Sequence, residues 1–184
     1  MHTLSRLLTC LAFSALLICL LASCAIRHTP PPDAAAVLDA MTAAMAASQP
    51  CPEGLTYTRS ATPDTPGYLT DTLFSALFGE AARGLLSSDT TGGGAPPVGD
   101  AALFLSVAPY PCELAVFRCS DQRAAATMAG VCRSRVSVVA AGYRDSEWAD
   151  IAAAGRVAVE GCYVLLVVAE DPEAILAGAR ALLP

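Results

Sequence analysis

The run Val164-Leu165-Leu166-Val167-Val168 contains no polar side chain. Successive residues of a strand point to opposite faces, so an unbroken apolar series must be covered on both sides and belongs at the centre of a sheet. A second run, Leu114-Ala115-Val116-Phe117, has nearly the same character. The fold therefore has to supply cover for a sheet, to an extent set by where the N-terminal helices dock.

The elements around these runs follow from period and punctuation. Residues 101–107 and 113–119 read as an antiparallel pair joined through Pro109-Tyr110-Pro111. A long helix follows, capped by Ser120 or Asp121, with Ala125, Met128, Val131, Cys132 and Val139 as its buried stripe. Arg123, Arg133 and Arg135 are assigned to its solvated face. Asp145 or Ser146 caps a short helix carrying Trp148 and Ile151 and ending near Gly155. Residues 156–159 and 163–169 form the second strand pair, turning at Glu160-Gly161-Cys162. Asp171-Pro172 opens a last helix that buries Ile175, Ala179, Leu182 and Leu183. The expected fold is α+β, a four-stranded, largely antiparallel sheet packed with helices in the order strand, strand, helix, repeated once and preceded by N-terminal helices.

Upstream, the pattern is looser. Asp33 is a helix cap, and Val37, Leu38, Met41 and Met45 recur at spacings of three and four until Gln49-Pro50; this alanine-rich helix suits a spacer or a core element equally. Residues 51–65 read as a loop with one short extended piece at 55–59. Thr65-Pro66 are expected to start a helix whose face is Leu69, Leu73, Phe74, Leu77 and Phe78 and whose end is Gly79. Residues 87–99, with Gly92-Gly93-Gly94 and Pro96-Pro97, are a loop; prolines follow the glycines where a phosphate-binding loop needs a helix.

The N-terminus reads as an export signal. A single arginine, Arg6, precedes an apolar run over residues 7–22. That run is short of the about 20 residues of a comfortable membrane span, although length alone leaves a retained span open. Leu21-Ala22-Ser23-Cys24 has the small residues ahead of a thiol that lipoprotein processing requires, whereas Cys10 lies too near the start and Cys19 follows bulky Leu17 and Ile18. The expected organisation is a signal peptide at 1–23, a proline-stiffened tether at 24–32, an N-terminal helix and loop at 33–61 and an α+β domain at 62–184. Cys24 would carry a diacylglycerol anchor, placing the domain on the extracytoplasmic face of the cell membrane.

Charge and composition exclude several functions. Loss of Arg6 with the signal leaves ten of the 11 basic residues, all arginine, against 17 acids, a balance that disfavours nucleic acid as a partner. The two histidines are His2 and His28, so the expected domain offers no imidazole for a catalytic pair or a zinc site, and no lysine exists for Schiff-base chemistry. No metal or cofactor is expected. Besides the anchor, Cys51, Cys112, Cys119, Cys132 and Cys162 are read mainly as buried or turn thiols; Cys112 and Cys119 are held about 23 Å apart by one strand, and a bridge such as Cys119 to Cys132 stays open.

The segments Leu77-Phe78-Gly79, Glu113-Leu114-Ala115-Val116-Phe117 with Asp121 beyond it, and the stretch from Gly161-Cys162-Tyr163 through Val168 resemble the bacterial domain-of-unknown-function family 4358. The similarity spans roughly residues 62–183. It departs at the long loop 87–99 and at Cys162, which stands at a polar turn position. The resemblance implies a lipoprotein of the kind found in Clostridia and related Firmicutes, and implies no activity.

The remaining candidates are side chains. Glu113 and Asp121 flank a strand and could bind a cation or serve a hydrolase, or else act as structural caps. Tyr110, Tyr143, Tyr163 and Trp148 could line a groove for a peptide or glycan, or pack at core edges. The expected function is a noncatalytic binding or scaffolding domain at the cell envelope, meeting an envelope protein or a small ligand. The alternatives are a carboxylate-dependent envelope hydrolase, which needs two acids facing one pocket, and a small-ligand receptor, which needs an enclosed apolar pocket near Tyr110 or Tyr163.

Overall fold

The computed structural model describes residues 30–87 and 95–183. The lipobox Leu21-Ala22-Ser23-Cys24, most of the tether and the triple glycine lie outside the described residues. Residues from Pro32 onward form one compact unit.

Helix α1 (Ala34–Ser48) is followed by strand β1 (Gly54–Thr58), helix α2 (Asp71–Phe78) and a 3-10 turn at Glu80–Ala82. Strands β2 (Val98–Ser106) and β3 (Glu113–Cys119) lead into the long helix α3 (Gln122–Gly142) and the short α4 (Ala149–Ala153). Strands β4 (Arg156–Glu160) and β5 (Tyr163–Val168) and helix α5 (Pro172–Arg180) complete the chain. The sheet order is β1-β2-β3-β5-β4, with every neighbouring pair antiparallel.

The α+β reading holds, with five strands in place of four. The fifth, β1, is the short extended piece the sequence placed in a loop. It lacks apolar alternation because it is an edge strand, held to β2 from Gly54↔Ser106 to Thr58↔Ala102 and largely exposed. The β4–β5 hairpin turns on Gly161 at φ 60°, a left-handed conformation suited to glycine.

All six residues of β5 are buried. One face carries Val164, Leu166 and Val168 with Leu103, Ala115 and Phe117, covered by α2, α3 and Ala152 of α4. Phe74, Phe78 and Phe117 meet there at ring separations of 5.0 to 5.7 Å. The other face carries Leu165 and Val167 with Leu114 and Val116 beneath α1 and α5. Helix α1 is thus a core element, burying Val37, Leu38, Met41 and Met45. The repeated order strand, strand, helix is not a repeat in space: α3 and α5 cover opposite faces.

The start of α2 corrects the expectation at Thr65-Pro66. Residues 67–69 run instead beside the end of β1, where Thr58 N–H donates to Gly67 C=O (2.8 Å) and Leu69 N–H to Thr58 C=O (3.0 Å). This pairing delays the helix until Thr70, whose hydroxyl accepts from Leu73 N–H (3.1 Å), while Gly79 at φ 81° ends it as expected. Neither Asp145 nor Ser146 caps α4, which starts after Trp148 without a side-chain cap. Asp33, Asp121 and Asp171 do cap α1, α3 and α5.

Helices α1 and α5 approach closely because Gly178 has no side chain. A Cβ there would stand 2.6 Å from Ala44 Cβ and 3.2 Å from Ala40 C=O, whereas one at Gly130 in α3 would meet nothing within 4 Å. The same substitution should therefore have opposite signs at the two sites. Gly178→Ala is expected to lower stability by about 1–2 kcal/mol through overpacking, and Gly130→Ala to raise it by up to about 1 kcal/mol through helix propensity, both read from urea unfolding midpoints.

Candidate functional site

The four side chains singled out in the sequence divide between the two ends of the sheet. Strand β3 is about 20 Å long. Tyr110 and Glu113 lie at its start, while Asp121 lies past its end, near Tyr163, which pairs with Arg118 in the β3–β5 ladder.

The Tyr163 end is where the chain enters the folded unit. The Tyr163 hydroxyl donates to the Pro32 carbonyl, and burial raises its pKa, opposed by Arg118. The buried Asp100 carboxylate accepts from Ala34 N–H at 2.7 Å, and the Asp33 cap accepts from Ala36 N–H at 2.7 Å. Two carboxylates thus meet the first turn of α1, where unpaired N–H groups and the helix dipole favour negative charge. Asp121 does the same work for α3, exposed and accepting from Ala124 N–H at 2.7 Å. These groups fix helix ends.

The opposite end is built differently. Glu113 and Arg135 form a two-point ion pair, with Arg135 Nε at 2.9 Å from Oε2 and Nη2 on Oε1, and exposures of only 14% and 18%. Arg135 is therefore corrected from the solvated face to the covered one. Its position three residues beyond Cys132 and four before Val139 continues the apolar stripe, a signal present in the sequence. The pair clamps α3 to the start of β3. It also neutralises Glu113, and with Asp121 at the far end the two acids do not share a pocket.

Beside this clamp, Tyr110 sits half-buried with its ring edge-on to Trp148 at 5.0 Å and its hydroxyl donating to Glu170 Oε1 at 3.0 Å. Burial and the Glu170 carboxylate push the Tyr110 hydroxyl up to about 12. Gln49, just past α1, is only 7% exposed; its Oε1 accepts from Asp171 N–H at 3.1 Å, and its buried amide lies close enough to the Tyr110 oxygen to oppose the rise in that hydroxyl's pKa, although among the described residues Nε2 completes no well-formed hydrogen bond. A buried amide donor left without a full hydrogen bond costs about 1–3 kcal/mol, which the neighbouring Tyr110 oxygen relieves in part. The sequence offered Gln49 only as a helix stop and gave no sign of Glu170, since both act through contacts with distant parts of the chain.

Tyr110, Trp148, Glu170 and Gln49 are the group the fold assembles from the candidates and their neighbours; Tyr163 is apart from it, and Tyr143 takes no part in its contacts. Cavities of about 420, 250 and 450 Å³ open beside Asp71 and Arg83, beside Asp121 and Pro97, and between Arg133 and Val159. None of these takes in Tyr110 or Tyr163. Among the described residues, no three His, Cys, Asp or Glu side chains converge as metal ligands.

Removing one member of the clamp isolates the other charge. Glu113→Ala is expected to cost about 2 kcal/mol, less than a fully buried pair because both groups keep some solvent, against about 1 kcal/mol for the Asp121→Ala cap deletion, measured by urea unfolding. Burial also pushes Cys112 and Cys119 up to about 12. These thiols and Tyr110 hold their protons more tightly folded than unfolded, so stability is fully present below about pH 8.5 and falls as pH rises toward 12. The unfolding midpoint should drop across that window, and Cys112→Ala should make the drop shallower.

No protein-family model, curated protein or solved structure matches this chain, so the resemblance to family 4358 rests on the residues quoted for it alone.

Proposed function

We propose that this chain is a lipid-anchored envelope protein whose domain is a noncatalytic binding module, held at the membrane through Cys24 and engaging an envelope protein with the end of the sheet that carries Tyr110 and Trp148. The observation that carries the reading is the assembly of Tyr110, Trp148, Glu170 and the buried Gln49 amide at one end of the sheet, while residue 32 lies at the other. Helix α1, 15 residues long, covers about 22 Å from Asp100 to Gln49, and so separates the two ends. Aromatic edges beside a carboxylate and an amide suit a protein surface, where Tyr and Trp supply rigid contact area.

Two outcomes check the anchor. Wild-type protein is expected in the membrane fraction as a diacylated species starting at residue 24, and Cys24→Ser in neither state; equal membrane retention of both would overturn lipidation. For the binding end, a photo-crosslinking residue at Trp148 should give an adduct in whole envelopes that is absent when the same residue replaces Asp121. Adducts at both sites, or at Asp121 alone, would overturn the orientation.

A further inference from the structure

Three thiols lie on the α3 side of the sheet or its margin. Cys119 ends β3 and Cys132 lies in α3, both buried in the same core, while Cys162 occupies the β4–β5 turn and is partly exposed. The β3–β5 register ends with Arg118 opposite Tyr163, and just beyond it Cys119 N–H donates to the C=O of Cys162, the last residue of the β4–β5 turn, at 2.8 Å. A backbone bond of this kind between antiparallel segments holds the two Cα atoms about 5.5 Å apart. A disulfide spans Cα separations of about 4.4–6.8 Å.

We propose that Cys119 and Cys162 are a disulfide-forming pair, with Cys162 the thiol that meets a disulfide oxidant first. Accessibility sets the order, because Cys132 has no exposed surface and Cys119 is nearly covered. Burial also raises the Cys119 thiol and keeps it protonated at neutral pH. In the first step the Cys162 thiolate attacks an oxidant RS–SR, forming a mixed disulfide Cys162–S–SR and releasing one thiolate. In the second, Cys119 sulfur attacks the Cys162 sulfur, expels the second RS⁻ and gives it the Cys119 proton. Two protein thiols are oxidised and one external disulfide is reduced to two thiols. The product ties the end of β3 to the β4–β5 turn. Adjacency and exposure define the pair, and the compartment's redox poise decides whether it is oxidised there.

The arrangement of arginines makes the test direct. Cleavage after Arg118, Arg123, Arg133, Arg156 and Arg180 puts Cys119 in peptide 119–123, Cys132 in 124–133 and Cys162 in 157–180. Full-chain protein in detergent is incubated with oxidised glutathione, alkylated, digested with trypsin and mapped by mass spectrometry. Peptides 119–123 and 157–180 should be recovered linked, about 2 Da below the sum of the free thiol peptides, with Cys132 alkylated. The linkage should form faster at higher pH and persist in Cys132→Ser, and Cys119→Ser should retain glutathione on Cys162. Linkage of 119–123 to 124–133, recovery of all three peptides alkylated, or a stable glutathione adduct on Cys162 in the wild type would overturn the pair.

Discussion

Burial of β5 on both faces is the constraint from which the other layers follow. Six consecutive buried residues, each apolar side chain worth about 1.5–3 kcal/mol of transfer from water, cannot be satisfied by a sheet with one covered side. Two helical layers result, α2 and α3 on one face and α1 with α5 on the other. Helix α1 is remote in sequence from the strands it covers, and its recruitment depends on polar contacts at its two ends. Asp100 receives Ala34 N–H at the start, and Gln49 receives Asp171 N–H just beyond the finish. Apolar packing holds the helix down, and the end contacts fix its register along the strands.

The two ends of the sheet carry different chemistry because different things terminate there. At the entry end, helices α1 and α3 begin, and the polar side chains are acids that satisfy N–H groups. At the other end α1 and α3 finish, loops cross, and the polar groups meet aromatic rings and one another: Glu113 with Arg135, Glu170 with Tyr110. Asp121 shows why a carboxylate near an apolar strand is a poor guide to chemistry by itself. It caps the helix that starts beside it, and that role alone suffices to place a carboxylate there.

Legibility in the sequence tracked the range of the interaction. The apolar strands, the Asp33, Asp121 and Asp171 caps and the Gly161 turn are set by neighbours within a few residues, and all are found where local pattern placed them. Strand β1 was legible only as a short extended piece within a loop, because an edge strand is held by backbone bonds, which any residue can make. Thr65-Pro66 is a sound helix start by local rules, overridden by pairing of residues 67–69 with Thr58. At the candidate site, Tyr110 and Trp148 were visible as aromatics, yet their meeting, and the part played by Glu170 and Gln49, required chain segments 38 to 61 residues from Tyr110 to be brought together. Arg135 was the legible feature left unread, since its spacing already put it in the buried stripe.

The contacts at Pro32 bear on how the domain responds to mechanical load. Tension applied to the chain at its point of entry first meets the Tyr163 hydroxyl on Pro32 and then the Asp100 carboxylate on Ala34. A pull directed along the α1 axis would load the helix lengthwise, because it runs from Asp100 at that end of the sheet to Asp171 at the other. Its buried face, Val37 through Met45, would have to slide past the sheet as a whole instead of peeling away one turn at a time. Shear of that kind distributes force over every contact at once. The α1 layer is thus placed to act as a mechanical clamp between the sheet and whatever holds the chain's N-terminal end.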